Sequence, residues 1–369
     1  MKIGILTHYD VNNLGAQLQM YATYQKLLEL GHQPVILTYN KNFDFDYDQK
    51  LRNKISLRSI PYLMREFLLK KGLRQTWHNT KKYLINKRFR LAHFDFQNYA
   101  TSDVEAVIVG ADEVFSLEVG INMMMYGHGM KTGKCIAYAP SFGQTDLSAL
   151  EEHHARALVE SGLSQFVALS ARDEHTANMI FELTGRKPTM VCDPVLLYDF
   201  KNIPKYSRPI KQKYLAVYSY DRNMTDPEEI AGICAFAHRF GLITVSIGNY
   251  HKWCDKNINC DCLEWLGYMR CAEVIITDTF HGAVVSVIMG KESAVLVRDI
   301  NSNKLNAFLQ DVHLTERVIS SLSEAELLRV FGKKTDYIRV EEVLRSLKTQ
   351  SDRYFIEAIA SCGEDNEKE

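Results

Sequence analysis

Three polar residues, Asp278, Thr279 and His281, share the turn Asp278-Thr279-Phe280-His281-Gly282 between two apolar runs. Histidine exchanges protons near neutrality because its ordinary pKa is about 6.5, so His281 suits general acid or base work. Arg172 stands in Ser170-Ala171-Arg172-Asp173, where a planar guanidinium can grip a phosphate or carboxylate with two parallel hydrogen bonds. Arg298 is a second cation suited to the same task, and Asp112 and Glu113 could orient or deprotonate hydroxyl groups. The chemistry this set suggests is proton transfer beside a held anion. Each residue also has a plainer reading: a structural His281, an Arg172 paired with Asp173 or Asp193, and solvated or capping roles for Asp112 and Glu113.

Such groups need elements to hold them. Val274-Ile275-Ile276 is a β-branched run stopped by Asp278, which predicts a buried parallel strand. From Ala283 to Met289 the chain is again apolar until Gly290, which predicts a buried helix over 282–289. Ligands of open α/β sheets sit outside the carboxyl ends of the strands, where this turn falls. Thr279 or Asp278 can cap the helix, and the free amides of its first turn, Gly282 included, favour an anion. Arg172 follows a predicted strand over 166–170, Asp112 and Glu113 one over 105–110, and Arg298 one over 294–297. The chain opens with a strand over 2–7, a helix over 15–30 and a strand over 34–39, a βαβ unit. Its turn, Asn12-Asn13-Leu14-Gly15, is not the G-x-G-x-x-G of dinucleotide sites. Asn13 and Gly15 are candidate substrate contacts, with helix capping as the alternative for Asn12 and Asn13.

The turn at His281 resembles the Asp-Ser-Phe-His-Gly signature of bacterial polysaccharide pyruvyl transferases. Other stretches agree in order: Asn12-Asn13-Leu14-Gly15-Ala16, Val109-Gly110-Ala111-Asp112-Glu113-Val114, Tyr138-Ala139-Pro140-Ser141-Phe142-Gly143, Ser170-Ala171-Arg172-Asp173 and Asp193-Pro194-Val195-Leu196-Leu197. Members of that family commonly carry Gln and Trp where this chain has Glu113 and Phe115. The resemblance implies two doubly wound Rossmann-like domains facing a cleft, as in GT-B glycosyltransferases. It also implies transfer of the enolpyruvyl unit of phosphoenolpyruvate to a sugar or lipid-linked oligosaccharide, forming a pyruvate ketal and releasing phosphate. His281 and Arg172 would then be catalytic, and Asn13, Gly15, Asp112, Glu113, Asp278, Thr279, Gly282 and Arg298 would bind substrate. Alternatives are a nucleotide-sugar glycosyltransferase on the same architecture and a non-catalytic protein of glycan assembly. That chemistry needs no cofactor and no metal.

With 369 residues, 46% hydrophobic and 24% charged, the chain is expected to form two soluble domains. The reading divides it into 1–200 on the acceptor side, 212–345 on the donor side, and a C-terminal helix and disordered tail over 346–369. The linker is expected over 198–212, where Pro204 and Pro209 interrupt the pattern. Residues 44–98 lack strand periodicity and are expected as an inserted set of helices. Between residues 50 and 90 stand thirteen basic residues and one acidic residue in a chain of net charge −1. That segment therefore carries +12 and the remainder −13. It suggests an anionic partner, either a membrane surface or a glycan acceptor, with a solvated face as the alternative and no sign of a nucleic-acid motif. No signal-peptide pattern opens the chain, so the cytoplasm is the expected compartment, with peripheral contact through 50–90 at the inner face of the membrane as the further expectation. Cys254, Cys260, Cys262 and Cys271 lack the paired hooks of a zinc site.

Overall fold

The computed structural model describes residues 1–40, 72–119, 122–200, 210–298 and 302–363. Much of the basic insertion and most of the expected linker lie outside the described residues, as does the extreme C-terminal tail. Two parallel sheets organise the rest. The first holds β1 (Lys2–Leu6), β2 (Gln33–Thr38), β3 (Phe96–Asn98), β4 (Ala106–Val109) and β5 (Cys135–Ala137) in the order β3-β2-β1-β4-β5. A two-stranded pair, β6 (Ser170–Ala171) and β7 (Thr189–Met190), follows, and a single bridge from Ala168 to Ile136 ties its approach to the edge of the first sheet. The second sheet holds β8 (Tyr214–Tyr218), β9 (Ile243–Ile247), β10 (Lys256–Ile258), β11 (Val274–Thr277), β12 (Ser293–Leu296) and β13 (Val318–Ile319) in the order β10-β9-β8-β11-β12-β13. Every strand pairing is parallel. The central strands are buried on both faces, which explains their continuous Val, Ile and Leu.

Helices α1 (Leu14–Glu29), α2 (Gly72–His93), α3 (Leu147–Glu152), α4 (Arg156–Ser164), α5 (Glu174–Thr184) and α6 (Pro194–Leu197) accompany the first sheet and the strand pair. Around the second lie α7 (Pro227–Arg239), α8 (Cys262–Cys271), α9 (Phe280–Ile288), α10 (Ser302–Asp311) and α11 (Glu324–Phe331). The last helix, α12 (Tyr337–Ser361), leaves the second sheet and returns to the first. There Tyr354 donates to the carbonyl of Ala137 at 2.8 Å, and the Ser351 hydroxyl accepts from the amide of Cys192 at 2.8 Å. Leu14 and Leu18 of α1 share one apolar cluster with Tyr218 of β8, Trp265 of α8 and Val284 of α9 and with Phe355 of α12. The halves therefore meet through packed side chains as well as polar contacts.

Residues 96–98 correct the expectation of an all-helical insertion. After α2 the chain re-enters the first sheet, where Ile36 lies opposite Phe96 and Thr38 opposite Asn98. Three residues are too few to show a period of two, which is why the alternation did not reveal them.

Candidate active site

The His281 turn follows from the way β11 ends. Thr277 is buried and its hydroxyl donates to the carbonyl of Tyr218 at 2.7 Å, which ties the strand end to β8. Thr279 then takes an extended conformation as the N-cap of α9, its hydroxyl accepting from the amide of Gly282 at 3.0 Å. A side chain on Gly282 would overlap the Thr277 hydroxyl, so this turn has room only for glycine. His281 leaves the first turn of α9 toward the other half of the molecule and packs on Gly15 in the first turn of α1. A methyl group on Gly15 would overlap the imidazole. Asn13 caps α1, accepting from the amides of Gly15 at 2.9 Å and Ala16 at 3.3 Å, and its own amide donates to the Tyr220 hydroxyl at 3.4 Å across the interface.

Arg172 lies at the centre of the charged groups. It follows β6, is almost fully buried, and donates to Asp193 at 2.8 Å and to Asp112 at 3.2 Å. Its guanidinium stands 4.8 Å from the centroid of the Phe280 ring. Of the two partners the sequence suggested, Asp193 is engaged, while Asp173 caps α5 by accepting from the amide of Thr176 at 2.8 Å. Both terminal nitrogens of Arg172 thus already hold carboxylates, while its Nε is buried with no hydrogen-bond partner. Asp193 also caps α6, accepting from the amide of Val195 at 2.9 Å, and its carboxylate lies 3.7 Å from Nε2 of His281. That separation is beyond hydrogen-bond distance, and Nε2 is buried with no hydrogen-bond partner.

Lys304 of α10, which sequence reasoning missed, completes the set from the second half. Its ammonium is 2.6 Å from Glu113, 3.9 Å from Asp112 and 5.9 Å from the Phe280 centroid. Burial pushes the Asp112 carboxyl up, but Lys304, Arg172, His281 and His8 outweigh it and hold the group well below the usual carboxylate range. Asp193 is treated alike: burial raises it, and His281, Arg172 and the Val195 amide bring it below its ordinary value. Burial disfavours the charged forms of Arg172 and Lys304, yet the facing carboxylates raise both. Asp112 sits at φ 67°, a left-handed conformation that costs a non-glycine residue about 1–3 kcal/mol and recurs at ligand sites.

Asp278 and Arg298 form a neighbouring pair. Asp278 is buried, accepts from Arg298 Nε at 2.7 Å and from Asn223 at 2.8 Å, while Arg298 also reaches Glu229 at 3.3 Å. A cavity of about 80 Å³ touches Arg172, Asp193, Phe280, Lys304 and Phe308. It has space for a few water molecules and is smaller than typical ligand pockets. A larger one, about 390 Å³, lies at the far end of α9 beside Met289, Tyr337 and Leu344. None of the proton-transfer candidates lines that larger cavity, so the candidate site rests on its chemistry and not on its size.

Comparison with known proteins gives the family and the fold. The family model described as polysaccharide pyruvyl transferase matches residues 13–300, a span that contains Asn13, Gly15, Asp112, Glu113, Arg172, Asp193, Asp278, Thr279, His281, Gly282 and Arg298 but not His8 or Lys304. Comparison with curated proteins finds no significant match. Among solved structures, one from Listeria monocytogenes described as a UDP-N-acetylglucosamine 2-epimerase aligns with a TM-score of 0.56 at 11% identity, over 99% of this chain and 97% of that one. The UDP-GlcNAc 2-epimerase from Neisseria meningitidis, bound to UDP-GlcNAc, aligns with a TM-score of 0.51 at 10% identity, over 98% of this chain and 100% of that one. At such identities the likeness establishes the fold, two Rossmann-like halves in a GT-B-like arrangement.

Proposed function

This chain belongs to the polysaccharide pyruvyl transferase family, and from that premise we propose that it transfers the pyruvyl unit of phosphoenolpyruvate to a sugar of a cell-surface polysaccharide. The donor loses phosphate and two acceptor hydroxyls become the oxygens of a pyruvate ketal. The observation that carries the reading is the unpartnered Nε2 of His281, 3.7 Å from a buried carboxylate that Arg172 and the α6 amide hold in place.

In this reading protonated His281 gives its proton to the methylene carbon of the donor, and positive charge develops at the adjoining carbon, which an acceptor hydroxyl attacks. The Asp193 carboxylate faces Nε2 of the ring at 3.7 Å. The first hydroxyl's proton passes to Asp112 or Glu113 and from there to the phosphate, which departs with its bonding electrons, and the second hydroxyl closes the ketal as its proton passes to the neutral imidazole of His281, restoring the starting state. Arg172 and Lys304 are the cations for the donor's phosphate and carboxylate, Lys304 exchanging Glu113 for the ligand as the site opens. Asn13, Gly15, Asp278, Thr279, Gly282 and Arg298 shape the turns around the reacting groups. We assign the donor side to residues 212–345, the acceptor side to residues 1–200 with a sugar or lipid-linked oligosaccharide as acceptor, and the reaction to the cytoplasm. No helix among the described residues is long and apolar enough to cross a membrane.

Phosphate release from phosphoenolpyruvate, measured against a panel of acceptor glycans, tests the reading. His281→Ala is expected to lower the rate about 10²–10⁴-fold, the usual size of a general acid–base contribution. Near-normal turnover in that variant would remove the assignment. Thermal protection by a nucleoside diphosphate and none by phosphoenolpyruvate would favour a nucleotide-sugar transferase instead, because ligand at a hundred times its dissociation constant adds about 2.7 kcal/mol.

A further inference from the structure

The outer face of α2 has the pattern of a surface that meets a bilayer. Its 22 residues include six lysines and arginines and no aspartate or glutamate. One side is fastened to the body of the protein. His78, Asn86, Phe89 and Arg90 are buried there, Arg90 pairs with Asp10 at 2.7 Å, and Lys82 donates to Asn249 at 2.6 Å. Gln75 and Asn79 reach Asp221 at 3.0 and 3.3 Å. At 3.6 residues per turn, Leu73, Trp77, Leu84 and Leu91 project from the opposite side, within about 40° of one another. They are 76%, 66%, 56% and 68% exposed. Arg74, Lys81, Lys87 and Arg88 border them and are exposed as well.

A merely solvated face would carry its charges along that line and its apolar residues on the packed side. Here an apolar row with a tryptophan is bordered by cations and lacks any carboxylate, which complements a surface that is anionic at its outer layer and apolar beneath. We propose that α2 lies along an anionic phospholipid surface, with Leu73, Trp77, Leu84 and Leu91 at the acyl boundary and the four bordering cations on the headgroups. From Leu73 to Leu91 the row runs about 27 Å. Since the packed side of α2 contacts Asp221 and Asn249 of the second half, docking sets the orientation of both halves toward the bilayer. The inference stands independently of the transferase reading.

Trp77 supplies the readout. Trp265 is fully buried, and Trp253 is half-buried with its indole N–H on the carbonyl of Met224 at 3.0 Å. The full chain is mixed with vesicles of phosphatidylglycerol and phosphatidylcholine, or of phosphatidylcholine alone. The protein should float with the anionic vesicles only, with its emission shifted to shorter wavelength and quenched by brominated acyl chains, and Trp77→Phe should abolish the quenching. Leu73→Ser/Leu84→Ser/Leu91→Ser and, separately, Lys81→Glu/Lys87→Glu should each weaken vesicle binding roughly tenfold or more. Both should leave the melting temperature unchanged, because none of these side chains is packed. Equal binding to neutral vesicles, absence of quenching, or undiminished binding by the triple variant would each overturn the proposal. So would self-association that the triple variant abolishes in a protein that does not bind vesicles.

Discussion

Gly15 and His281 come from helices of different halves and fit only because one of them lacks a side chain. Gly15→Ala must push the imidazole aside, and misplacing a catalytic group by about 1 Å can cost on the order of 10²-fold in rate. Phosphate release should fall by that order while the urea midpoint moves little; unchanged turnover would mean that the position of the ring does not matter. Asp193 makes a second residue-scale prediction through its depressed pKa. A carboxyl whose folded pKa lies below its unfolded value, about 3.9 for aspartate, adds stability above that value and loses it as pH falls through the folded one. Asp193→Asn should therefore be less stable than the parent at neutral pH, with the gap narrowing below pH about 4. Urea midpoints for both proteins at neutral and acid pH give the comparison, and a constant gap would contradict it.

On the scale of elements, α2 clasps the second half. The Asn259 side chain donates to the carbonyl of His78 at 2.8 Å, and the His78 ring lies 5.5 Å from that of Tyr250. Burial pushes His78 down to about 4, with Asp221 opposing and Lys82 assisting. Between pH 6.5 and 4 the unfolded chain binds a proton at this residue that the folded one does not, so the contribution of His78 is intact above 6.5 and declines as pH falls toward 4. His78→Phe, which keeps a ring against Tyr250, should retain more of its stability at pH 5 than the parent, judged by urea midpoints relative to pH 7. An identical decline would place the acid sensitivity in other groups.

The same scale shows what could be read beforehand. Strands β1 and β2 and helix α1 fall within one residue of the bounds expected from their apolar runs. β3, β7, β10 and β13 escaped because two or three residues at a sheet edge leave no periodic signal. The turn at His281 was legible as a polar break between a strand and a helix. Lys304 was not, since an isolated lysine in a helix gives no hint that folding brings it to Glu113, 191 positions earlier.

At the scale of the whole molecule the halves already touch in this structure, through Asn13 and Tyr220, Gly15 and His281, and Lys304 and Glu113. In the proposed reaction, donor binding would have to open this arrangement, and Lys304→Met, which removes the polar contact to Glu113, tests that step. Helix α12 adds an apolar tie, the Phe355 ring meeting Tyr138 edge-on at 4.9 Å in a fully buried position. Phe355→Ala should cost about 3–5 kcal/mol by urea unfolding, the usual range for a buried phenylalanine. A loss below 1 kcal/mol would show that α12 only rests on the first sheet. The return of α12 also bears on synthesis. Tyr354 and Cys362 complete hydrogen bonds to Ala137 and Lys134, residues translated more than two hundred codons earlier. A nascent chain emerging at about 5–20 residues per second must carry that sheet for ten seconds or more with one flank uncovered, so the first half is the part most in need of a chaperone on the ribosome.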